Sequence, residues 1–366
     1  CYVSGRWCVV EGAGLQTFRH LDDKLGLVPA RAASLLARVD EGRGREELHV
    51  RQRPAVLDRL GQVARIQSAE ASNAIEGVTA PPPRLRALMA ERTEPRNRSE
   101  AEIAGYRAAL DLIHTSAASM PFTADVVLQL HRELYRFTPE SGGCWKPADN
   151  HIEERHPDGS VRVVFRTVPA FQTDDAMREL HGLVEPAWRA REHHRLLLAG
   201  AYVLDFLCIH PFRDGNGRMA RLLTLLLLYR AGYGVGRYVS VEKLIETSRE
   251  SYYETLRRSS GGWHEGAHDP WPWLEYFLGV MVAVYDAFEE RVAVAGGRGA
   301  KTEAIERYVR SLPAGAEFRV ADVRRNAAGA GDSHISKILA RLRDEGLIAP
   351  EGRGRGARWR RTDTAG

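Results

Sequence analysis

The sequence predicts a mainly α-helical protein: a helical bundle carrying one small β-hairpin, followed by a separate basic module of three helices and a ribbon. Three observations lead there. Apolar residues recur at helical spacing through most of the first 290 residues, strict alternation is confined to one short stretch, and a run of small residues precedes a tail of different charge.

Composition narrows the problem further. At 366 residues the chain exceeds one small core and fits two or three domains. Apolar residues make up 44% and charged residues 27%, the balance of a folded globular protein, which excludes disordered and collagen-like readings. No apolar run reaches the roughly 18 residues of a membrane span. Asp205 interrupts residues 196–209, and Tyr229 and Arg230 end the leucine run that begins at Leu222. The chain starts at Cys1 rather than Met, which reads as a trimmed or incomplete start, and its first ten residues lack the apolar core of a signal peptide. Four cysteines, at 1, 8, 144 and 208, show neither metal-ligand spacing nor a disulfide framework, so a cytoplasmic setting and no membrane partner are expected. The net charge of +4 is uneven: residues 301–366 hold 14 Lys/Arg against 9 Asp/Glu, which leaves the first 300 residues at −1.

Along the chain, residues 21–130 carry apolar positions at three- and four-residue intervals, as in Leu57, Leu60, Val63 and Ile66, and read as helices with a break at Pro81-Pro82-Pro83. From Asn150 to Pro169 the pattern changes to alternation around Asp158-Gly159, with Val161, Val163 and Phe165 on one side, which predicts a hairpin. Helical periodicity returns from Asp174 to about Phe288. Residues 293–300 are small, with little to bury, and read as a spacer. The expected domains are an N-terminal helical region at 1–90, a helical core at 91–290, a linker at 291–300 and the basic module at 301–361.

The chemistry is concentrated in His210-Pro211-Phe212-Arg213-Asp214-Gly215-Asn216-Gly217-Arg218-Met219-Ala220-Arg221, which lies between two apolar helical stretches, 196–209 and 219–229. Pro211 cannot continue the first helix, and Gly215 and Gly217 permit positive φ, so successive backbone N–H groups can converge as an anion nest. The second helix then begins with its amides and positive dipole end beside that nest, while Arg218 and Arg221 project from one face with forked donors suited to phosphate oxygens. Asp214 offers a hard oxygen for Mg²⁺. His210 can serve as a neutral base near pH 7.

This loop resembles the signature of the Fic family, His-Pro-Phe-x-Asp/Glu-Gly-Asn-Gly-Arg-x-x-Arg, at all nine specified positions. The resemblance implies a Fic helical bundle and transfer of AMP from ATP to a Tyr, Thr or Ser hydroxyl of a target protein. In that scheme His210 is the base and Asp214 holds Mg²⁺. Asn216 and the amides of Gly215 and Gly217 bind the α and β phosphates, and Arg218 and Arg221 bind the β and γ phosphates. Ser72-Asn-Ala-Ile-Glu76-Gly77 resembles the family's inhibitory motif, placed before the catalytic loop. Ser72 and Glu76 share a helix face, Gly77 suits the helix end, and Glu76 is expected to pair with Arg221 in the space of the γ-phosphate. The resemblance leaves open removal of AMP by the same site, transfer of another nucleotide monophosphate, and transfer of phosphate.

Other features carry weaker signals. The hairpin stands in the place of the family's flap, with Val164, Phe165, Arg166 and Thr167 nearest the nucleotide and a sheet edge able to align the target. The preceding Gly142-Gly143-Cys144-Trp145-Lys146 departs from the family's more usual Gly-x-x-Arg. Tyr252 and Tyr253 resemble a tyrosine pair that flanks the adenine, although two tyrosines on a helix are commonly core. His264-Glu265-Gly266-Ala267-His268 fits the zinc-protease pattern, yet its glycines and Pro270 oppose the helix that zinc binding needs. The histidine pairs His193-His194 and His151/His156 read as surface residues.

The tail reads as a winged helix-turn-helix domain. Ile335, Ile338, Leu339 and Leu342 mark its third helix, with Ser333 as N-cap and Gly346 just past the end, and Gly352-Arg-Gly-Arg-Gly356 forms the wing. Its excess positive charge makes DNA a partner to test, alongside protein docking. A DNA-binding regulator is the alternative to an enzyme, and a homodimer is compatible with the sequence.

Overall fold

The computed structural model describes residues 2–3, 6–7, 16–155, 160–327, 330–351 and 358–362. It contains two compact units, one of Cys1–Gln52 and Leu57–Phe288, the other of Arg53–Val56 and Glu289–Gly366.

The first unit opens with a short antiparallel pair, β1 (Tyr2–Val3) and β2 (Arg6–Trp7). Helices follow in the order α1 (Gln16–Arg19), α2 (Leu21–Leu25), α3 (Ala30–Gln52), α4 (Pro54–Ile75), α5 (Pro82–Met89), α6 (Arg98–Ser116) and α7 (Ala124–Leu134). The proline break precedes α5 as expected, with Pro81 in its N-cap position. A Cβ on Gly105 of α6 would collide with the Leu134 carbonyl of α7, so the close approach of these two helices requires glycine.

Next comes the antiparallel pair β3 (His151–Arg155) and β4 (Val161–Arg166). Its turn at Asp158-Gly159 and His156 lie outside the described residues. A register shift between Ile152 and Glu153 alters the expected alternation: Val161 and Val163 are exposed, while Phe165 is half-buried.

Helices α8 (Thr173–Ala190), α9 (Arg195–Ile209), α10 (Asn216–Arg230), α11 (Val241–Thr247), α12 (Arg249–Ser260) and α13 (Trp271–Ser311) complete the succession. Residues 196–209 are all buried because α9 is apolar on nearly every face, and α10 is buried along nearly its whole length although it carries Asn216, Arg218, Arg221 and Thr224. The one acid in α9, Asp205, is fully buried and satisfied by Thr17 Oγ1 at 2.5 Å, Trp263 Nε1 at 2.7 Å and the Phe18 amide at 3.2 Å, which ties α1 to the core.

The residues read as a spacer, 291–300, are helical and lie within α13.

The second unit contains α13's C-terminal part, β5 (Glu317–Phe318), α14 (Val320–Asn326), α15 (Asp332–Asp344), β6 (Ile348–Glu351) and β7 (Arg358–Arg361), with sheet order β5-β7-β6. Its core joins Ile305, Val309, Phe318, Val323, Ile335, Leu339 and Leu342. Helix α15 begins at Asp332 with Gly331 as N-cap, two residues earlier than the Ser333 cap predicts. Gly346 follows the helix end with φ +71°, as expected there. The Gly352–Gly356 turn lies outside the described residues.

Candidate functional site

The site forms where α9 stops and α10 starts. His210 caps α9 in the left-handed region, φ 52° and ψ 60°, an uncommon conformation for a residue with a side chain. Its Nδ1 lies 3.3 Å from the Leu207 carbonyl. A carbonyl only accepts, so the proton resides on Nδ1 and the lone pair on Nε2. Burial lowers the His210 pKa to about 4, and the Lys146 ammonium acts in the same direction; the Leu207 carbonyl and the Glu76 and Asp214 carboxylates oppose it. The ring is therefore neutral at pH 7.

Gly215, φ +81°, caps α10, which starts at Asn216, three residues earlier than the sequence suggests. Asn216, Gly217 and Arg218 thus form the first helical turn. The Asn216 side chain is spent on the loop itself: Oδ1 accepts from the Phe212 amide at 2.9 Å, and Nδ2 donates to the Phe212 carbonyl at 2.8 Å. Asp214 Oδ1 accepts from the Gly215 amide at 2.7 Å, and the carboxylate is half-exposed. Burial would raise the Asp214 pKa, but the Tyr135 hydroxyl and Arg218 outweigh it and hold the group ionised.

The two arginines, three residues apart on α10, turn into the bundle. Each is buried and bound to its own acid. Arg218 Nη1 donates to Glu102 Oε2 at 2.5 Å, and Nη2 donates to the Tyr135 hydroxyl at 3.3 Å. Arg221 Nε donates to Ser72 Oγ at 2.8 Å, and Nη2 reaches both the Ser72 carbonyl at 2.9 Å and Glu76 Oε1 at 2.7 Å. Arg218 Nε and Arg221 Nη1 are buried donors without a hydrogen-bond partner. Burial lowers the Arg221 pKa, but the Glu76 carboxylate more than compensates and raises it.

Glu76 reaches this position because α4 ends at Ile75 in a tight turn. Val78 N donates to Asn73 O, Gly77 N donates to Ala74 O, and Gly77 adopts φ +79°. The carboxylate rests over the first turn of α10, so close that a Cβ on Gly217 would collide with Oε1. A negative group thus already occupies the positive end of the helix dipole.

Four residues not anticipated from the sequence complete the site. Glu102 on α6 pairs with Arg218. His131 on α7 donates from Nε2 to the Asp214 carbonyl at 3.1 Å, accepts at Nδ1 from the Gly143 amide at 2.9 Å, and stacks on Phe212 with centroids 3.7 Å apart. Lys146 and Asn150 bind the His210 loop from the segment leading into the hairpin. None has a spacing signal, because each acts through a contact distant in sequence.

The peripheral residues are divided in their placement. Thr167 is buried, with Oγ1 donating to the Asn150 carbonyl at 2.7 Å. Phe165 stacks on His264 at 5.3 Å, and the Arg166 carbonyl lies 2.6 Å from His264 Nε2; Val164 is half-buried and the Arg166 side chain exposed. Tyr252 is a core residue packed edge-on against Trp273 and Tyr276, with no open face for a base, whereas Tyr253 is 43% exposed. His268 faces Thr17 rather than His264, so the two imidazoles of the zinc-like pattern serve different neighbours. Among the described residues no group of three His, Cys, Asp or Glu could hold a metal ion. His193 and His194 are half-buried and pair with Asp22 and Asp40 rather than lying free on the surface.

Residues 121–228 match the Fic/DOC family model, and the chain is distantly similar to Fic adenylyltransferases. It is 28% identical over 215 residues to protein adenylyltransferase Fic of Drosophila grimshawi, covering 57% of this chain and 41% of that protein. The corresponding Aedes aegypti protein is 27% identical over 214 residues, covering 56% and 39%. The matched region thus spans about two fifths of these curated relatives. The fold is similar to that of a Fic family protein from Desulfovibrio desulfuricans G20, with TM-score 0.62, 23% identity and coverage of 93% of this chain and 98% of that one. It is also similar to Fic-1 of C. elegans, with TM-score 0.57, 20% identity and coverage of 72% and 73%.

Proposed function

We propose that the protein transfers AMP from ATP to a hydroxyl side chain of a target protein, and that Glu76 holds it in a slow resting state. One observation carries the reading: a carboxylate of the chain itself occupies the anion seat at the start of α10, paired with Arg221 beside an open imidazole lone pair. Removing that carboxylate leaves a receptor for a phosphate group, built from the α10 amides, the dipole and the unpartnered Arg218 and Arg221 donors.

In this mechanism His210 Nε2 accepts the proton of the attacking hydroxyl, which bonds to the α-phosphorus as the bond to pyrophosphate breaks. The neutral imidazole is available without prior deprotonation. The half-exposed, ionised Asp214 fits Mg²⁺, which would neutralise phosphate charge when bound. Asn216 holds the loop that presents the α10 amides. Tyr253, rather than Tyr252, offers an aromatic face to a base.

Glu76→Gly protein incubated with Mg²⁺ and each nucleoside triphosphate in turn, then measured by intact mass, tests the reading. The expected product carries one added AMP from ATP, formed faster than in wild type and abolished by His210→Ala. Equal rates in wild type and Glu76→Gly, with labelling still lost in His210→Ala, would remove the brake. Addition of phosphate or of a different nucleotide would replace the transferred group.

For the second unit we propose a winged-helix docking module. The order helix, strand, helix, helix, strand, strand and the β5-β7-β6 sheet support that fold. Carboxylates already pair Arg324, Arg325, Arg341, Arg343, Arg358 and Arg360, which leaves less free positive charge for phosphates than the composition suggests. Salt-sensitive binding of the full chain to duplex DNA would reverse this preference.

A further inference from the structure

We propose that Lys146 is a positioning residue for the transfer reaction, fastening the hairpin and the strained His210 turn into one unit from beneath. This rests on the function proposed above and extends it to a side chain outside the loop motif.

The geometry is specific. Lys146 is a lysine with only 3% exposure, unusual for this residue type. Its ammonium donates three hydrogen bonds: to Ile209 O at 3.1 Å, Asn150 Oδ1 at 2.8 Å and Thr167 Oγ1 at 3.0 Å. Its backbone amide donates to Pro211 O at 2.8 Å. The carbonyls immediately before and after His210 are therefore both held by one residue. Asn150 extends the strap, donating from Nδ2 to Phe212 O at 2.9 Å, so three carbonyls around the turn are fixed from the segment leading into β3. Thr167, just past β4, joins from the other side.

His210 has positive φ, and a residue held there reverts unless its neighbours over-determine it. The charge-assisted donation to Ile209 O, with the Lys146 amide on Pro211 O and the Asn150 side-chain amide on Phe212 O, provides that restraint. A base displaced by about 1 Å can lose a hundredfold in rate, so the strap governs kcat. Arg218 and Arg221 are bound by other residues, so ATP affinity is spared.

Lys146 also acts on the imidazole by charge. The charged groups bearing on His210 are Lys146 across the turn, Glu76 from α4 and Asp214 from the loop; Asp149 bears on Lys146. Burial lowers the Lys146 pKa to about 8, with Asp149 opposing. The strap therefore weakens as the pH rises past about 8.

The experiment uses the full-length Glu76→Gly chain with Lys146→Met, Lys146→Arg or Asn150→Ala added. Two quantities are read: the kinetics of ATP-dependent labelling and the NMR titration midpoint of the His210 ring. With Lys146→Met, kcat should fall about tenfold or more while KM for ATP changes by less than about twofold. The His210 midpoint should rise, because a neighbouring positive charge is gone. Lys146→Arg should restore most of kcat and extend activity above pH 8, since arginine stays charged. Asn150→Ala should lower kcat while leaving the midpoint nearer its starting value. An unchanged kcat together with an unmoved midpoint in Lys146→Met overturns the proposal. Should Lys146→Met fail to fold, the alkaline limb of Lys146→Arg and the kcat of Asn150→Ala decide the matter. If no variant transfers any nucleotide, the function reading fails, and the His210 midpoint still judges the strap.

Discussion

Glu46 lies in α3 with its carboxylate buried at 5% exposure, where Oε2 accepts from the Tyr285 hydroxyl at 2.8 Å. Burial raises its pKa from 4.5 to about 7, more than the Tyr285 and Gly234 hydrogen bonds lower it. Below the unfolded value the group is protonated in both states. As the pH climbs, the unfolded chain releases this proton first, so stability is lost between about 4.5 and 7 and changes little beyond. Glu46→Gln should remove that loss, giving a chain roughly 2–3 kcal/mol less sensitive to a change from pH 4.5 to pH 8 in urea unfolding. Equal pH sensitivity in the two chains would show that Glu46 ionises freely in the folded protein. The same rule acts at His210, where burial secures the neutral form that a base requires. The motif identified that imidazole; its lowered pKa comes from surroundings that adjacent residues do not reveal.

At the scale of elements, α4 and α10 oppose each other through a small polar contact set in an apolar bundle. Ser72 Oγ satisfies Arg221 Nε, and Glu76 satisfies Nη2, so two anchors hold the Arg221 guanidinium. Ser68, one turn before Ser72, donates to the buried Glu242 at 2.7 Å and fixes the same helix face. Ser72→Ala should loosen the brake by roughly 1 kcal/mol, a gain in labelling rate of about fivefold. Glu76→Gly should exceed it, because it also clears the anion seat. A Ser72→Ala rate equal to wild type would place the whole inhibition on Glu76. The Ser72–Glu76 spacing, the helix end at Gly77 and the helix-loop-helix motif were all legible from sequence, because each depends on residues a few positions apart. The acid partner of Arg218 was not: Glu102 lies 116 residues away, with only packing to bring it near.

For the whole molecule, two cores divide the chain, and the second unit has its own apolar centre around Ile335, Leu339 and Leu342. Leu339 is fully buried there, so Leu339→Ala should destabilise that unit by about 2–5 kcal/mol. Hydrogen exchange should then quicken across 301–351 while protection of α9 and α10 is retained. Loss of protection in α9 and α10 as well would show that the two cores unfold together.

Local order was enough to predict the mainly helical fold, the β3–β4 hairpin and the helix-loop-helix around His210, though not the β1–β2 pair, because periodicity, proline and glycine act over a few residues. Only the tertiary structure decided that both arginines turn inward to carboxylates, that Tyr252 belongs to the core, and that Lys146 secures the turn at His210. Those outcomes depend on which distant side chains meet in a dry interior, where each buried charge must find a partner.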